Sequence, residues 1–146
     1  MAAVVLFGLG LVSCGTDSPA DGAPNDPSYG PLAVVPGPPN GQEALLPARL
    51  EVTDDCVTAV LADGREWLLA WPQDSTSWDD ENQTVTYSDG RTTVELRHGD
   101  SFSFGGGGTS VAEGGSERIA SIGWVAEPAE ACPDETIWSV GSIADP

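Results

Sequence analysis

The chain has 146 residues, with 23 Asp and Glu against five Arg and no Lys, for a formal net charge of −18. That length suits one domain with something appended. An acidic chain without a basic stripe is repelled by nucleic acid and by anionic lipid, so no nucleic-acid partner is expected. The acidic residues are spread rather than massed, which reads as a solvated surface and not as a dedicated cation trap.

Residues 2–12, Ala-Ala-Val-Val-Leu-Phe-Gly-Leu-Gly-Leu-Val, are uncharged and apolar. The run is short of the roughly 20 residues a membrane-spanning helix needs. It has the length of the apolar part of a secretory signal. Small residues follow: Ser13, Cys14 and Gly15. Met1-Ala2-Ala3 lacks the basic residue that usually opens such a signal, so a start further upstream, or a truncated segment, is expected. Residues 15–47 are dense in Pro, Gly and Asp and poor in apolar side chains. Such a tract cannot bury enough surface to repay its ordering and reads as a disordered, partly polyproline-like tether from Cys14 to a domain at 48–146. As a flexible chain it would span on the order of 30 Å. Within it, docking of Leu32-Ala33-Val34-Val35 on the domain as an extra strand is the lesser alternative to a tether disordered throughout.

From Ala48 the pattern changes. Arg49-Leu50-Glu51-Val52-Thr53 alternates, as a half-buried strand does. Residues 56–62 and 65–71 flank Asp63-Gly64, a two-residue hairpin signal. That turn sets Val60 opposite Trp67 and Cys56 opposite Trp71, and puts Cys56, Val60, Trp67, Leu69 and Trp71 on one core face. Residues 83–88 and 91–97 flank Asp89-Gly90 in the same way, pairing Val85 with Val94 and Tyr87 with Thr92. Val85, Tyr87, Val94 and Leu96 then share a face. Ser101-Phe102-Ser103-Phe104 forms a further strand, and Gly105-Gly106-Gly107-Gly108 opens a loop. Residues 119–126 and 136–143 supply two more strands. There is no amphipathic helix beyond a turn near Pro128-Ala129-Glu130-Ala131. Seven or eight short strands in about 99 residues indicate an all-β domain: a small antiparallel barrel, OB-like by its meander order and long central connection, with a β-sandwich as the alternative.

Of the three cysteines, Cys14 lies at the end of the signal-like run, leaving Cys56 and Cys132 in the domain. An even pair in an exported domain reads as a disulfide within the barrel; two unpaired buried thiols are the alternative. Closing a loop of about 76 residues stabilises by roughly 4.5 kcal/mol in the chain-entropy view.

Leu11-Val12-Ser13-Cys14 resembles the lipobox of bacterial lipoproteins. In that family the Cys thiol takes a diacylglyceryl group, acylation anchors the chain, and cleavage before the Cys removes residues 1–13. The stalk, "EVTDDCVTAVLADGREWLLAWP", "GDSFSFGGGG" and a late Cys before "WSVG" together resemble a set of small, uncharacterised lipoproteins of high-GC Gram-positive bacteria. The resemblance spans most of residues 10–143. It implies a cell-membrane location on the extracytoplasmic face and brings no activity.

Candidate chemistry is sparse. His98 is the only histidine and continues the face of Val94 and Leu96, which favours a rim or structural role over a catalytic base. The four-glycine run lacks the Lys-Ser/Thr and helix of a phosphate loop. Asp79-Asp80-Glu81-Asn82 offers hard oxygen ligands but not the spacing of a calcium loop, so no metal and no cofactor are expected. Trp78 stands in the polar stretch 72–82 beside Asp79, Asp80 and Glu81, either as a contact aromatic of a ligand-binding loop or folded back over the barrel end. Asp54, Asp55 and Glu66 are the carboxylates an envelope-polymer hydrolase would draw on. An all-β domain on a stalk with no catalytic set, taken with the anchor the lipobox resemblance implies, favours a non-catalytic, membrane-anchored module that binds an envelope ligand or protein. The hydrolase and a purely structural spacer stand as alternatives.

Overall fold

The computed structural model describes residues 28–37 and 43–146. The signal segment, Cys14 and the first half of the expected tether lie outside the described residues.

The described residues form nine strands: β1 (Ala33–Val35), β2 (Ala44–Val52), β3 (Val57–Val60), β4 (Glu66–Pro72), β5 (Thr76–Asp79), β6 (Thr84–Ser88), β7 (Thr93–Leu96), β8 (Ser101–Ser110) and β9 (Thr136–Ala144). A short helix, α1 (Ser116–Ala120), lies in the connection from β8 to β9. β2 pairs with β3 and with β8, β3 with β4, and β8 with β9, all antiparallel. The ring closes where β4 and β9 pair in parallel, Leu68 against Ile137 and Ala70 against Ser139. This is a closed five-stranded barrel of OB-like order, with a separate three-stranded sheet of β5, β6 and β7 inserted between β4 and β8.

Alternation decides what faces inward. Leu46, Ala48 and Leu50 of β2, Val57 and Ala59 of β3, Leu69 and Trp71 of β4, Phe104 of β8, and Trp138 and Val140 of β9 form one buried cluster. Trp71 meets Phe104 edge to face, with centroids 6.3 Å apart. The insert sheet adds Val85, Tyr87 and Leu96 to the same cluster.

The first hairpin is offset by one residue from the sequence expectation. Val60 pairs with Glu66 and Ala59 with Trp67. The loop is three residues long: the Gly64 amide donates to the Leu61 carbonyl, and Gly64 takes φ +83°. This is a tight turn followed by a left-handed residue, the usual build of three-residue hairpins. A one-residue slip exchanges the faces of β3. Val57 and Ala59 therefore join Leu69 and Trp71 inside, while Cys56 turns outward.

The second hairpin is offset by two, with Tyr87 against Val94 and Val85 against Leu96. An even slip preserves the faces, so these four side chains still share one. The Asp89 carboxylate holds the longer turn by accepting from the amides of Arg91 and Thr92, each at 2.8 Å.

The glycine run is strand, not loop. β8 continues through Gly105, Gly106, Gly107 and Gly108 to Ser110, with an irregularity in its pairing to β9 between Gly105 and Gly106. The register skips Gly141, whose carbonyl accepts from the Tyr87 hydroxyl at 2.8 Å and so ties the insert sheet to the barrel. Residues 119–126, expected as a strand, instead begin as the last two residues of α1 and continue without regular structure, apart from a bridge between Ala126 and Val34. Gly114, Gly115 and Ser116 favour a tight turn there, and the apolar residues that suggested a strand, Ile119, Ile122 and Trp124, are spent on a second, smaller cluster.

That second cluster lies outside the barrel wall. Ala33, Cys56, Leu68, Ala70, Cys132 and Ile137 form it, with Ile119, Ile122 and Trp124 packed against them. The Cys56–Cys132 disulfide is present and sits here rather than within the barrel.

Part of the expected tether belongs to the domain. β1 pairs in parallel with β4, Ala33 against Ala70 and Val34 against Trp71. Ala70 also pairs with Ser139 of β9, so β1 and β9 lie on opposite edges of β4. Leu32 and Val34 enter the barrel cluster while Ala33 enters the outer one. β2 likewise starts at Ala44, ahead of the boundary at Ala48. The docking strand repays its ordering because three consecutive side chains lose nearly all contact with water.

A fragment starting at Glu43 should therefore lose stability relative to one starting at Ser28. Fully burying Leu32 and Val34 is worth about 3–6 kcal/mol together. Urea unfolding of the two fragments checks this; equal midpoints would show that β1 contributes nothing.

Candidate functional site

The two ends of the barrel differ. Where β4 ends and β8 begins, the insert sheet and β1 cover the interior with Val85, Tyr87, Leu96, Leu32 and Val34. At the other end β4 begins at Glu66, β8 finishes at Ser110 and β9 begins at Thr136. There a cleft of about 300 Å³ opens, lined by Arg65, Glu66, Trp67, Ser110, Ala112, Glu113 and Thr136. Barrel mouths are preferred ligand sites.

The strands explain each lining residue. Ser110 and Thr136 are cross-strand partners in the β8–β9 ladder, two positions beyond the pair of Gly108 with Trp138. Trp67 lies edge to face against Trp138, with centroids 6.0 Å apart and planes at 90°. These two indoles lie beneath the polar rim. The Thr136 hydroxyl donates to the Glu66 carbonyl at 2.8 Å, which fixes the start of β9 on β4. One Glu66 oxygen accepts from the Thr58 hydroxyl at 2.6 Å. Glu113 stands in the short 3-10 turn Val111–Glu113 on the rim. Arg65 is turned to Asp63, whose carboxylate takes its Nε at 2.8 Å. Ser110 is only 8% exposed. The indole Nε1 atoms of Trp67 and Trp138 are buried without a hydrogen-bond partner among the described residues.

A second concavity, of about 370 Å³, runs along β2 between Pro47, Arg49, Val60, Leu61, Phe102 and Pro146. Its walls are apolar and its one charged group, Arg49, lies 3.6 Å from Glu51. In OB-like barrels the outer face of the second and third strands often carries the ligand. Here those strands are β3 and β4, and much of that face is already filled. Thr58, Leu68 and Ala70 are buried, with Ile119, Ile122, Trp124 and the disulfide over Leu68 and Ala70.

The residues singled out from sequence fall in several places. Trp78 is in β5, not in a long loop; it is half-buried, packs on the barrel cluster, and its ring lies against Gly30. Its indole Nε1 is 3.4 Å from an Asp80 oxygen. Asp79 is the hub of the β5–β6 turn. Its carboxylate accepts from the Asn82 side chain at 2.8 Å and from the amides of Glu81 and Asn82 at 3.0 and 3.1 Å. Those bonds, the Asn82 side chain first, hold the carboxyl below its ordinary value of 3.8. Asp79 is thus occupied by the turn, while Glu81 is exposed. Among the described residues no group of three or more His, Cys, Asp or Glu side chains is arranged to hold a metal ion.

His98 accepts from the Val52 amide through Nδ1 at 3.1 Å, a bond that closes the end of β2. Asp54 and Asp55 lie in the turn before β3, whereas Glu66 pairs at the far end of that strand. The carboxylates considered for hydrolysis are therefore not brought together. Ser110, Glu113 and Thr136 were not legible as a site, because a connection of some 25 residues separates β8 from β9 and no motif marks its ends. Comparison with family models, with curated proteins and with solved structures finds no match to this chain.

The Asp79 turn carries a pH dependence. Folding lowers this carboxyl's proton affinity, so its contribution is full above the ordinary 3.8 and is lost as pH falls through the lower folded value. Asp79→Asn should lower the melting temperature at neutral pH and lessen the decline in stability below about pH 4. Thermal melts of both proteins across that range check it; parallel curves would contradict it.

Proposed function

We propose that this chain is an extracytoplasmic lipoprotein, anchored through Cys14, whose barrel is a non-catalytic module that binds an envelope ligand or protein at its open mouth. The mouth carries this reading. It combines the Trp67 ring, packed on Trp138, with polar groups that converge from three strands, and the N–H groups of both indoles are buried without a partner. A buried polar group left without a partner is costly unless a ligand or water supplies one. The Cys56–Cys132 disulfide supports an oxidising, exported location. The outward stretch from Cys14 to Ser28 can span at most about 50 Å, which keeps the domain close to the membrane it is tied to.

The hydrolase reading draws on Glu66, but the separation of Glu66 from Asp54 and Asp55 and its bond to Thr58 favour a structural use of that carboxylate.

Two measurements test the proposal. Expressed in a Gram-positive host, the wild type should partition with membranes and Cys14→Ala should be released. Equal partition of unlipidated wild type and variant would contradict the anchor. The released Cys14→Ala protein, used as bait on envelope extract, should capture a ligand or partner, and adding Ala112→Trp at the rim should abolish that capture. Turnover of an envelope polymer that disappears with Glu66→Gln would favour the hydrolase instead.

A further inference from the structure

Among the described residues, the barrel mouth offers hydrogen bonds of both kinds. Its open donors are the Arg65 Nη groups, since only Nε is given to Asp63, and the Ser110 hydroxyl. Its open acceptors are the second Glu66 oxygen, the Glu113 carboxylate and the Thr136 hydroxyl oxygen, whose proton goes to the Glu66 carbonyl. The half-buried ring of Trp67 lines the same cleft. Below the surface, the indole N–H groups of Trp67 and Trp138 are buried without a partner, and Trp138 is only 6% exposed. Buried donors are costly to leave unmet, so the mouth calls for acceptors as well as donors from outside the chain.

A ligand that matches this set must both give and take. An ammonium group has donors and no acceptor, so it leaves Arg65 and the indoles unmet. A carboxylate or phosphate has the opposite fault. It accepts from Arg65 but meets Glu66 and Glu113, neither of which is in an ion pair among the described residues, on a chain of net charge −18. A sugar hydroxyl donates once and accepts twice, and a pyranose sets several hydroxyls around an apolar C–H face. That face suits an indole, which offers broad apolar contact and a polar edge. At about 300 Å³ the cleft is at the lower end of the range for small-ligand sites, which suits one ring rather than a chain.

We propose that the mouth binds a neutral sugar residue of an oligo- or polysaccharide, its ring against Trp67 and its hydroxyls shared among Arg65, Ser110, Glu66 and Glu113. This rests on the reading of the domain as a binding module and names its ligand class.

Isotope-labelled full chain is titrated separately with maltotriose, chitotriose, trigalacturonate and trilysine, each at about 50 and about 500 mM salt. Amide signals of Ser110, Glu113 and Thr136 and the indole signals of Trp67 and Trp138 are followed. Saturable shifts confined to this set are expected with a neutral trisaccharide, with an affinity that salt changes by less than about twofold, because an uncharged ligand is not screened. Glu113→Ala and Arg65→Met, both on the exposed rim, should each weaken that binding at least about fivefold. The matched changes Asp74→Ala and Arg91→Met, both exposed and outside the mouth, should alter it by less than about twofold. Shifts spread beyond the mouth, or equal losses from the two pairs of variants, would overturn the proposal. Trigalacturonate or trilysine moving the mouth more tightly than either neutral sugar would overturn the sugar assignment and leave the binding reading standing. A mouth moved by no probe would also overturn the assignment, and the rim-blocked capture experiment would then decide the binding reading separately.

Discussion

Gly106 and Gly108 set how tightly the barrel can close. A Cβ on Gly108 would lie 2.8 Å from Cζ3 of Trp67 and 3.1 Å from Cε3 of Trp138. At Gly106 it would run into the Ser139 carbonyl, and φ there is +149°, a conformation that L side chains rarely adopt. Glycine weakens a strand in its own right by roughly 0.5–1 kcal/mol against alanine. The fold tolerates this because the bare backbone of β8 leaves room for two indoles in a narrow five-stranded barrel. The Trp67–Trp138 pair fills that room, and Trp67 lines the open mouth. The parallel seam of β4 and β9 lies directly beside it, since Leu69 pairs with Trp138. Closure, core and site therefore share one contact.

The remaining parts follow from which end each segment reaches. The insert sheet leaves β4 and returns to β8 at one end, so it covers that end, and Tyr87 fastens it through the bulged Gly141. Burial first, then Asp89, pushes the Tyr87 phenol above its ordinary value, so it stays a donor at neutral pH. β1 reaches the same end and contributes to both clusters. The connection from β8 to β9 leaves from the open end and is pulled down over the outer face of β4, where the disulfide holds it. That face is thereby sealed, and the mouth is left as the polar concavity.

Sequence patterning reached the inward face of Trp67, Leu69 and Trp71 because these residues alternate. It missed the partner face in β3. Residues 56–62 are apolar or small almost throughout, so alternation could not tell Cys56 and Val60 from Val57 and Ala59. Register then rested on the turn alone, and Asp63-Gly64 fits a three-residue loop as well as a two-residue one. In the second hairpin the alternation of Val85, Tyr87, Val94 and Leu96 with polar residues fixed the faces whatever the loop length. The glycine run carried no side-chain pattern at all, and what explains it lies across the barrel: the β9 backbone at Gly106 and the two indoles at Gly108. β1 is three residues in a Pro- and Gly-rich tract, and its burial depends on an edge of β4 that local composition does not report. The mouth joins residues from both ends of a long connection, a long-range arrangement invisible to any window of sequence.

The most direct test of this account is the stability of Gly108→Val. In an unobstructed strand, valine is among the favoured residues and should stabilise, by up to about 1 kcal/mol. If Gly108 is held against Trp67 and Trp138, the added side chain overpacks the barrel, and urea unfolding should show a loss of about 1–3 kcal/mol. The Trp67 and Trp138 indole signals should shift in the folded variant. A variant as stable as the wild type or more so, with unmoved indoles, would contradict the contact on which closure, core and mouth are here made to depend.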